Sequence, residues 1–335
     1  MNILVIGGTL FIGRRLVTEL VKAGHDVSIL HRKSKHDFGR RVGNLQADRN
    51  DPASVKSALN GRKFEIVFDD VYDFERGTTA PQVEATARIA ATDRLARYVY
   101  MSSVAAYGDG LNHHEGDALA PDDHPDPYVR NKAMSERALF RMHQRDRFPV
   151  TTFRPPFLYG PGNTFYREAF FWDRLRDGRP IILPGDGHRL MQFVHVGDLV
   201  CAMLKAIELP DAAGQAFNAA NPKPVTQFEA VEAFGRAAGK PVQFVRIPRD
   251  RILRAGGHPL GPKLYFAFYY DMPGITMVVN KAQRVLKLKM TDFDVGLKDT
   301  YKWYLRNNSF PKPDYAFEDS LIALAKTLPP PVDED

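Results

Sequence analysis

Cysteine, long apolar runs and internal repeats are what this sequence lacks first. Its 335 residues include a single cysteine, Cys201, so no internal disulfide can form and nothing depends on an oxidising compartment. No apolar stretch approaches a bilayer-spanning length, and residues 2–6 run straight into a glycine turn with no cationic leader or small-residue cleavage site. These absences lead to the expectation of a cytoplasmic protein with no membrane partner. Charge of a single sign is missing too. The net charge of +6 comes from 46 basic residues interleaved with 40 acidic ones, and no recognition motif or aromatic–basic alternation accompanies them. A nucleic acid is therefore not expected as a main partner, and no metal is expected. Pro329-Pro330-Pro331 and the acids after it read as an exposed tail.

What is present is a large apolar fraction, 44% of residues, enough for one large domain and a smaller one. Short apolar runs at 2–6, 26–31, 43–47, 64–69, 97–102 and 150–154 alternate with amphipathic stretches near 11–23, 52–60, 80–93 and 127–146. This order predicts an α/β fold: a Rossmann doubly wound parallel sheet with a smaller C-terminal α/β substrate-binding cap. The expected boundaries are 1–155 for the dinucleotide-binding domain, its sheet completed near 193–220, then 156–310 for the cap and 311–335 for the tail. Within the cap, Thr226-Gln227-Phe228-Glu229 is a capping box opening a helix over 227–238, and a second helix is expected at 295–306.

Gly7-Gly8-Thr9-Leu10-Phe11-Ile12-Gly13 follows a strand and opens a helix, the context a phosphate-binding glycine turn requires. Gly7 suits the tight turn and Gly13 the close helix–strand packing, while the helix N-terminus offers unpaired N–H groups to a pyrophosphate. The second strand ends in His31-Arg32-Lys33, where an acid would receive the ribose hydroxyls of NAD. Arg32 can instead grip a 2′-phosphate bidentately and Lys33 can add charge, so NADP is the preferred cofactor, with NAD the alternative. Tyr128-Val129-Arg130-Asn131-Lys132 sets a phenol and an ammonium one helical turn apart. Met101-Ser102-Ser103-Val104-Ala105-Ala106-Tyr107-Gly108 ends the fifth strand some 25 residues earlier.

Together these segments resemble extended short-chain dehydrogenases, the NAD-dependent epimerase/dehydratase family. The glycine turn is similar to their T-G-G-x-G-F-I-G fingerprint, with Ile6 for Thr and Leu10 for the middle Gly. Ser102 to Gly108 resembles S-S-x-x-x-Y-G, Phe153 to Pro161 resembles R-P-x-x-x-Y-G-P, and Gln192 to Leu199 resembles F-V-H-V-x-D-L. The resemblance implies Ser103, Tyr128 and Lys132 as catalytic residues, with Lys132 also on the nicotinamide ribose. It further implies Asp48 as acceptor for the adenine amino group, Val71 packed on the cofactor, and backbone at Pro155 to Phe157 facing the nicotinamide. His195 and Asp198 are read as structural hydrogen-bonders. The family often dimerises through helices here near 80–93 and 127–146, so a homodimer is an expected arrangement.

The reaction is less legible. Nucleotide-sugar epimerases and dehydratases of this family carry Asn at Phe157 and Arg at Met191, both used to hold a diphosphate. Apolar residues there suit a less charged substrate, although Arg154, Arg167 or Arg189 could compensate. Tyr166, Arg167 and Phe170, with Phe171 and Trp172, follow the Gly160-Pro161-Gly162-Asn163 turn and read either as substrate-lining residues or as the cap's own core. The first reading is a reductase or dehydrogenase interconverting a secondary alcohol and a ketone. The alternative is a sugar-nucleotide epimerase or dehydratase with tightly held NAD(P), and a third is an RNA-binding atypical member of the superfamily.

Overall fold

The computed structural model describes residues 1–326, so the proline-rich tail lies outside the described residues. Seven parallel strands form the main sheet: β1 (Asn2–Ile6), β2 (Asp26–His31), β3 (Val42–Gln46), β4 (Ile66–Asp69), β5 (Arg97–Met101), β6 (Val150–Arg154) and β7 (Gln215–Asn218). Their spatial order is β7-β6-β5-β4-β1-β2-β3. The strands are apolar on both faces because both faces are covered. Ile3 and Val5 point to a core shared with Leu16, Val17 and Leu20 of helix α1 (Phe11–Lys22) and with Leu199 and Met203. Leu4 and Ile6 point to the other side. There they meet Val55 of α2 (Pro52–Leu59), Val83 and Ala87 of α3 (Ala80–Ala90), and Leu139 and Met142 of α4 (Pro127–Asp146).

Strand order reverses between β1 and β4, and in such sheets ligands bind beyond the carboxyl ends at that reversal. The glycine turn leaves β1 there. The local signals behind the helices are visible in their caps. Asp51 and Asp126 side chains accept from the backbone N–H groups of Ala53 and Tyr128, and Pro52 and Pro127 occupy the first helical positions.

The chain divides into two compact units. The first comprises Met1–Leu158, Gln192–Pro222 and Ile275–Thr291, and the second Tyr159–Met191, Lys223–Gly274 and Asp292–Asp335. Two differences from the expected boundaries follow. Residues 275–291 return to the first unit, because Ile275–Met277 pairs with Gly110–His113 and Lys281 donates to the Ala216 carbonyl at 2.8 Å. Ala316–Ala325, inside the stretch read as tail, is a helix of the second unit. The capping box forms as read: Thr226 and Glu229 open the helix Gln227–Ala238. Among the described residues no helix is long and apolar enough to cross a membrane.

Candidate active site

The glycine turn is built for close approach. Gly7 has φ +99°, and a Cβ there would sit 2.2 Å from Val71 Cγ2. A Cβ on Gly13 would sit 2.3 Å from the Gly7 carbonyl oxygen, so both positions require glycine. Val71 thus packs on the turn itself. Thr9 donates its N–H to the Gly7 carbonyl at 2.9 Å, closing the loop. Leu10, in place of the expected glycine, has extended backbone (φ −130°) that any residue adopts, and its side chain is 62% exposed. The strain moves one residue on, to Phe11, whose φ is +36° and whose ring is buried. Leu10 makes no side-chain cap on α1 and no acid of the helix sits in its first turn, which leaves the helix N-terminus suited to an anion such as a pyrophosphate. The cradle that a Cβ would fill and the uncapped helix end fit a dinucleotide.

One donor of that turn is met from within: the Asp70 carboxyl faces the Gly13 N–H. Burial pushes this carboxyl up to about 8, with neighbouring Asp69 acting in the same direction and Lys132 against it. Asp70 Oδ1 is shut off from solvent and has no hydrogen-bond partner among the described residues. Beside it, Asp69 accepts from Arg49 at 2.6 Å and from the Tyr98 hydroxyl at 2.7 Å, a buried pair at the end of β4.

Lys132 lies over this acidic floor. It is 3% exposed, donates to the Met101 carbonyl at 2.6 Å, and stands 5.9 Å from the Tyr128 ring centre. Burial lowers its ammonium to about 8, while Asp69 and Asp70 pull the other way. The four-residue spacing therefore does bring amine and phenol together. Tyr128, half-buried, packs edge-on to Tyr72 at 4.8 Å and stacks with Phe74 at 5.6 Å. Ser103 caps the short turn Val104–Tyr107 that follows β5, its Oγ accepting from Ala105 N at 3.2 Å. The strand end that presents Ser103 is the one whose Met101 carbonyl holds Lys132. A buried ion pair fixes α4 against the sheet: Arg154 Nη2 donates to Glu136 at 2.8 Å, and Arg154 Nη1 donates to the Tyr107 hydroxyl at 2.7 Å.

That commitment removes Arg154 as a diphosphate clamp. Arg189 is likewise paired with buried Asp271 at 3.2 Å. The Pro155 carbonyl accepts from Val104 N at 3.0 Å, and Phe157 lies half-buried against Phe193. His195 caps the helix Val196–Glu208, and Asp198 accepts from the backbone and hydroxyl of Thr291, each at 2.7 Å. In the second unit, Tyr166 donates to Asp173 at 2.6 Å and Arg167 lies over the Phe165 ring at 4.6 Å. Phe170 and Met191 are only 1% and 2% exposed, packed inside that unit, and present no surface to a substrate.

Just past the end of β2 Arg32 is 65% exposed, 3.4 Å from Asp73, and Lys33 is exposed beside it. Asp48, expected to accept from adenine, gives both oxygens to Arg76 at 2.8 and 3.1 Å, and this guanidinium holds its carboxyl below the ordinary range. Asp69, Asp70, Tyr72 and Arg76 escape the sequence reading. Two successive acids closing an apolar strand were the available signal, since buried acids need a stated reason.

Comparison with known proteins gives the family. The profile of the NAD dependent epimerase/dehydratase family matches residues 3–220. A chloroplast stem-loop binding protein of 41 kDa from Arabidopsis thaliana is 31% identical over 96% of this chain and 84% of its own length. The 2-alkyl-3-oxoalkanoate reductase of Stenotrophomonas maltophilia is 26% identical over 72% of this chain and 77% of its own. Among solved structures, the dTDP-glucose 4,6-dehydratase of Bacillus anthracis in complex with NAD superposes with a TM-score of 0.75 at 18% identity, covering 93% of this chain and 99% of that one. The chain belongs to the NAD dependent epimerase/dehydratase family, the extended short-chain dehydrogenase type.

Proposed function

We propose that this protein is an NADP-preferring oxidoreductase that interconverts a secondary alcohol and a ketone, with Tyr128 as acid and base. The observation that carries the reading is Lys132, a buried amine fixed on the Met101 carbonyl and set 5.9 Å from the Tyr128 ring, on the strand end that also presents Ser103. A bound nicotinamide supplies the hydride acceptor or donor. Lys132 favours the phenolate of Tyr128, whose unperturbed pKa near 10 is too high for a base at neutral pH. The Tyr128 hydroxyl then gives or takes the proton at the substrate oxygen, and the Ser103 hydroxyl hydrogen-bonds that oxygen as its charge changes. Tyr166 and Arg167 are the substrate contacts we assign in the second unit.

Epimerisation or dehydration of a nucleotide sugar is the second reading, favoured by the likeness to a dehydratase that binds NAD. Against it stand Phe157 and Met191 at the family's diphosphate positions and the commitment of Arg154 and Arg189 to internal acids. Stem-loop binding, named for the Arabidopsis relative, is supported by that 31% identity alone. A panel of ketones and nucleotide sugars, followed through NADPH absorbance and product analysis, decides among them. Net NADPH consumption with a ketone supports the oxidoreductase. Conversion of a nucleotide sugar without net cofactor turnover sinks it.

A further inference from the structure

The loop after β4 brings an arginine that no sequence motif marks against Asp48 and Asp73, beyond the ends of β2 and β3. Arg76 Nε and Nη2 donate to Asp73 Oδ2 at 2.8 and 2.6 Å, and Nη1 and Nη2 donate to the two Asp48 oxygens at 2.8 and 3.1 Å. Asp73 is the anchor of this arrangement. Its side chain is only 8% exposed, and its Oδ1 accepts from the backbone N–H groups of Glu75 and Arg76, each at 3.0 Å. Its Oδ2 also meets Arg32 from the end of β2 at 3.4 Å. One carboxylate thus draws two guanidiniums together beyond the ends of β2 and β3. Asp48, just past β3, takes the other side of the Arg76 fork.

Resting on the NADP reading above, we propose that Arg76 is a second cation selecting the 2′-phosphate, and that Asp48 is its anchor instead of an acceptor for the adenine amino group. The two arginines differ in what binding asks of them. Arg32 makes one long contact from an exposed side chain and must be ordered by the ligand. Arg76 is already held by two carboxylates, so a phosphate meets its remaining Nη1 hydrogen without ordering a free side chain. The contacts to Asp48 and Asp73 engage every guanidinium nitrogen and still leave a second Nη1 hydrogen that a phosphate oxygen can accept. A ribose without the phosphate has no anion to offer that donor, so the effect belongs to NADP and not to NAD.

The test uses the full chain and probes without nicotinamide. Wild type, Arg32→Ala, Arg76→Ala and Arg76→Lys are titrated calorimetrically with 2′,5′-ADP and with 5′-AMP, and circular dichroism checks that each variant is folded. The expected result is a wild-type preference for 2′,5′-ADP, weakened about tenfold in Arg76→Ala with 5′-AMP changed less than about twofold. Arg76→Lys, which keeps the charge but loses the fork, recovers only part of the preference. If Arg32→Ala lowers the preference and Arg76→Ala leaves it intact, the NADP reading stands and the role of Arg76 is overturned. Equal weakening of both probes in Arg76→Ala also overturns it. A wild type with no preference sinks the NADP reading and the inference with it.

Discussion

The two ends of the proposed cofactor site, the nicotinamide assigned to the Lys132 end and the adenine to the Arg32 end, handle charge in opposite ways. At the nicotinamide end Lys132 is buried over Asp69 and Asp70, and burial drives both the ammonium and the Asp70 carboxyl toward about 8. At the adenine end Arg32 and Arg76 are exposed, and their carboxylate partners offset them at the surface. Protonation is therefore adjustable at the first end and fixed at the second. Chemistry belongs where a proton can be moved near neutral pH, and selection belongs where charge is constant.

The nicotinamide end should respond most strongly to change. Tyr128→Phe removes the proton-transfer group but keeps the ring packed on Tyr72 and Phe74, so turnover is expected to fall at least about a hundredfold with little change in cofactor affinity. Steady-state kinetics and fluorescence titration check this, and near-normal turnover would remove Tyr128 from the mechanism. Lys132→Ala should lose turnover on a similar scale and also weaken cofactor binding. If affinity stays at the wild-type value, the ribose contact assigned to Lys132 is wrong.

The adenine end should show a smaller and more selective effect. A charge-assisted hydrogen bond contributes about 1.5–3 kcal/mol. Arg32→Ala is thus expected to weaken NADPH roughly ten- to a hundredfold and to leave NADH nearly unchanged. Fluorescence titration of both cofactors needs no substrate. Equal losses for the two would reduce Arg32 to an ordinary surface charge.

Much of the first end is legible in the sequence because its signals are local. Apolar runs predict β1 and β2 with the observed bounds, and α4 is found over the stretch near 127–146 that its amphipathic spacing predicts. The Tyr128–Lys132 pair follows from helical period alone. The adenine end is not legible in this way. Arg76 and Asp48 are 28 residues apart and meet only through the path of the loop after β4. Parallel pairing of Ile275–Met277 with Gly110–His113 spans a still larger separation, which is why residues 275–291 read as cap in the sequence. Asp70 is shaped by Gly13 and Lys132, both distant from it in sequence, so the two successive acids mark the position without giving its surroundings.

Asp70 offers the effect most sensitive to pH. Its carboxyl is raised from an ordinary 3.8 to about 8, chiefly by burial, so between these values the folded protein holds a proton that the unfolded chain has released. Stability from this group is fully present below about pH 4 and is lost as pH rises through about 8. Asp70→Asn keeps the shape and removes the titration. The variant should therefore match wild type near pH 4 and exceed it increasingly as pH rises to 8 and above, where the buried Oδ1 is an unpaired charged acceptor. Because Asp70 also supports the Lys132 ammonium, the same change should shift the alkaline limb of the turnover profile to lower pH. Urea unfolding at both pH values measures the first effect. A stability difference that does not vary with pH would show that Asp70 is ionised throughout, held by Lys132 as a conventional ion pair.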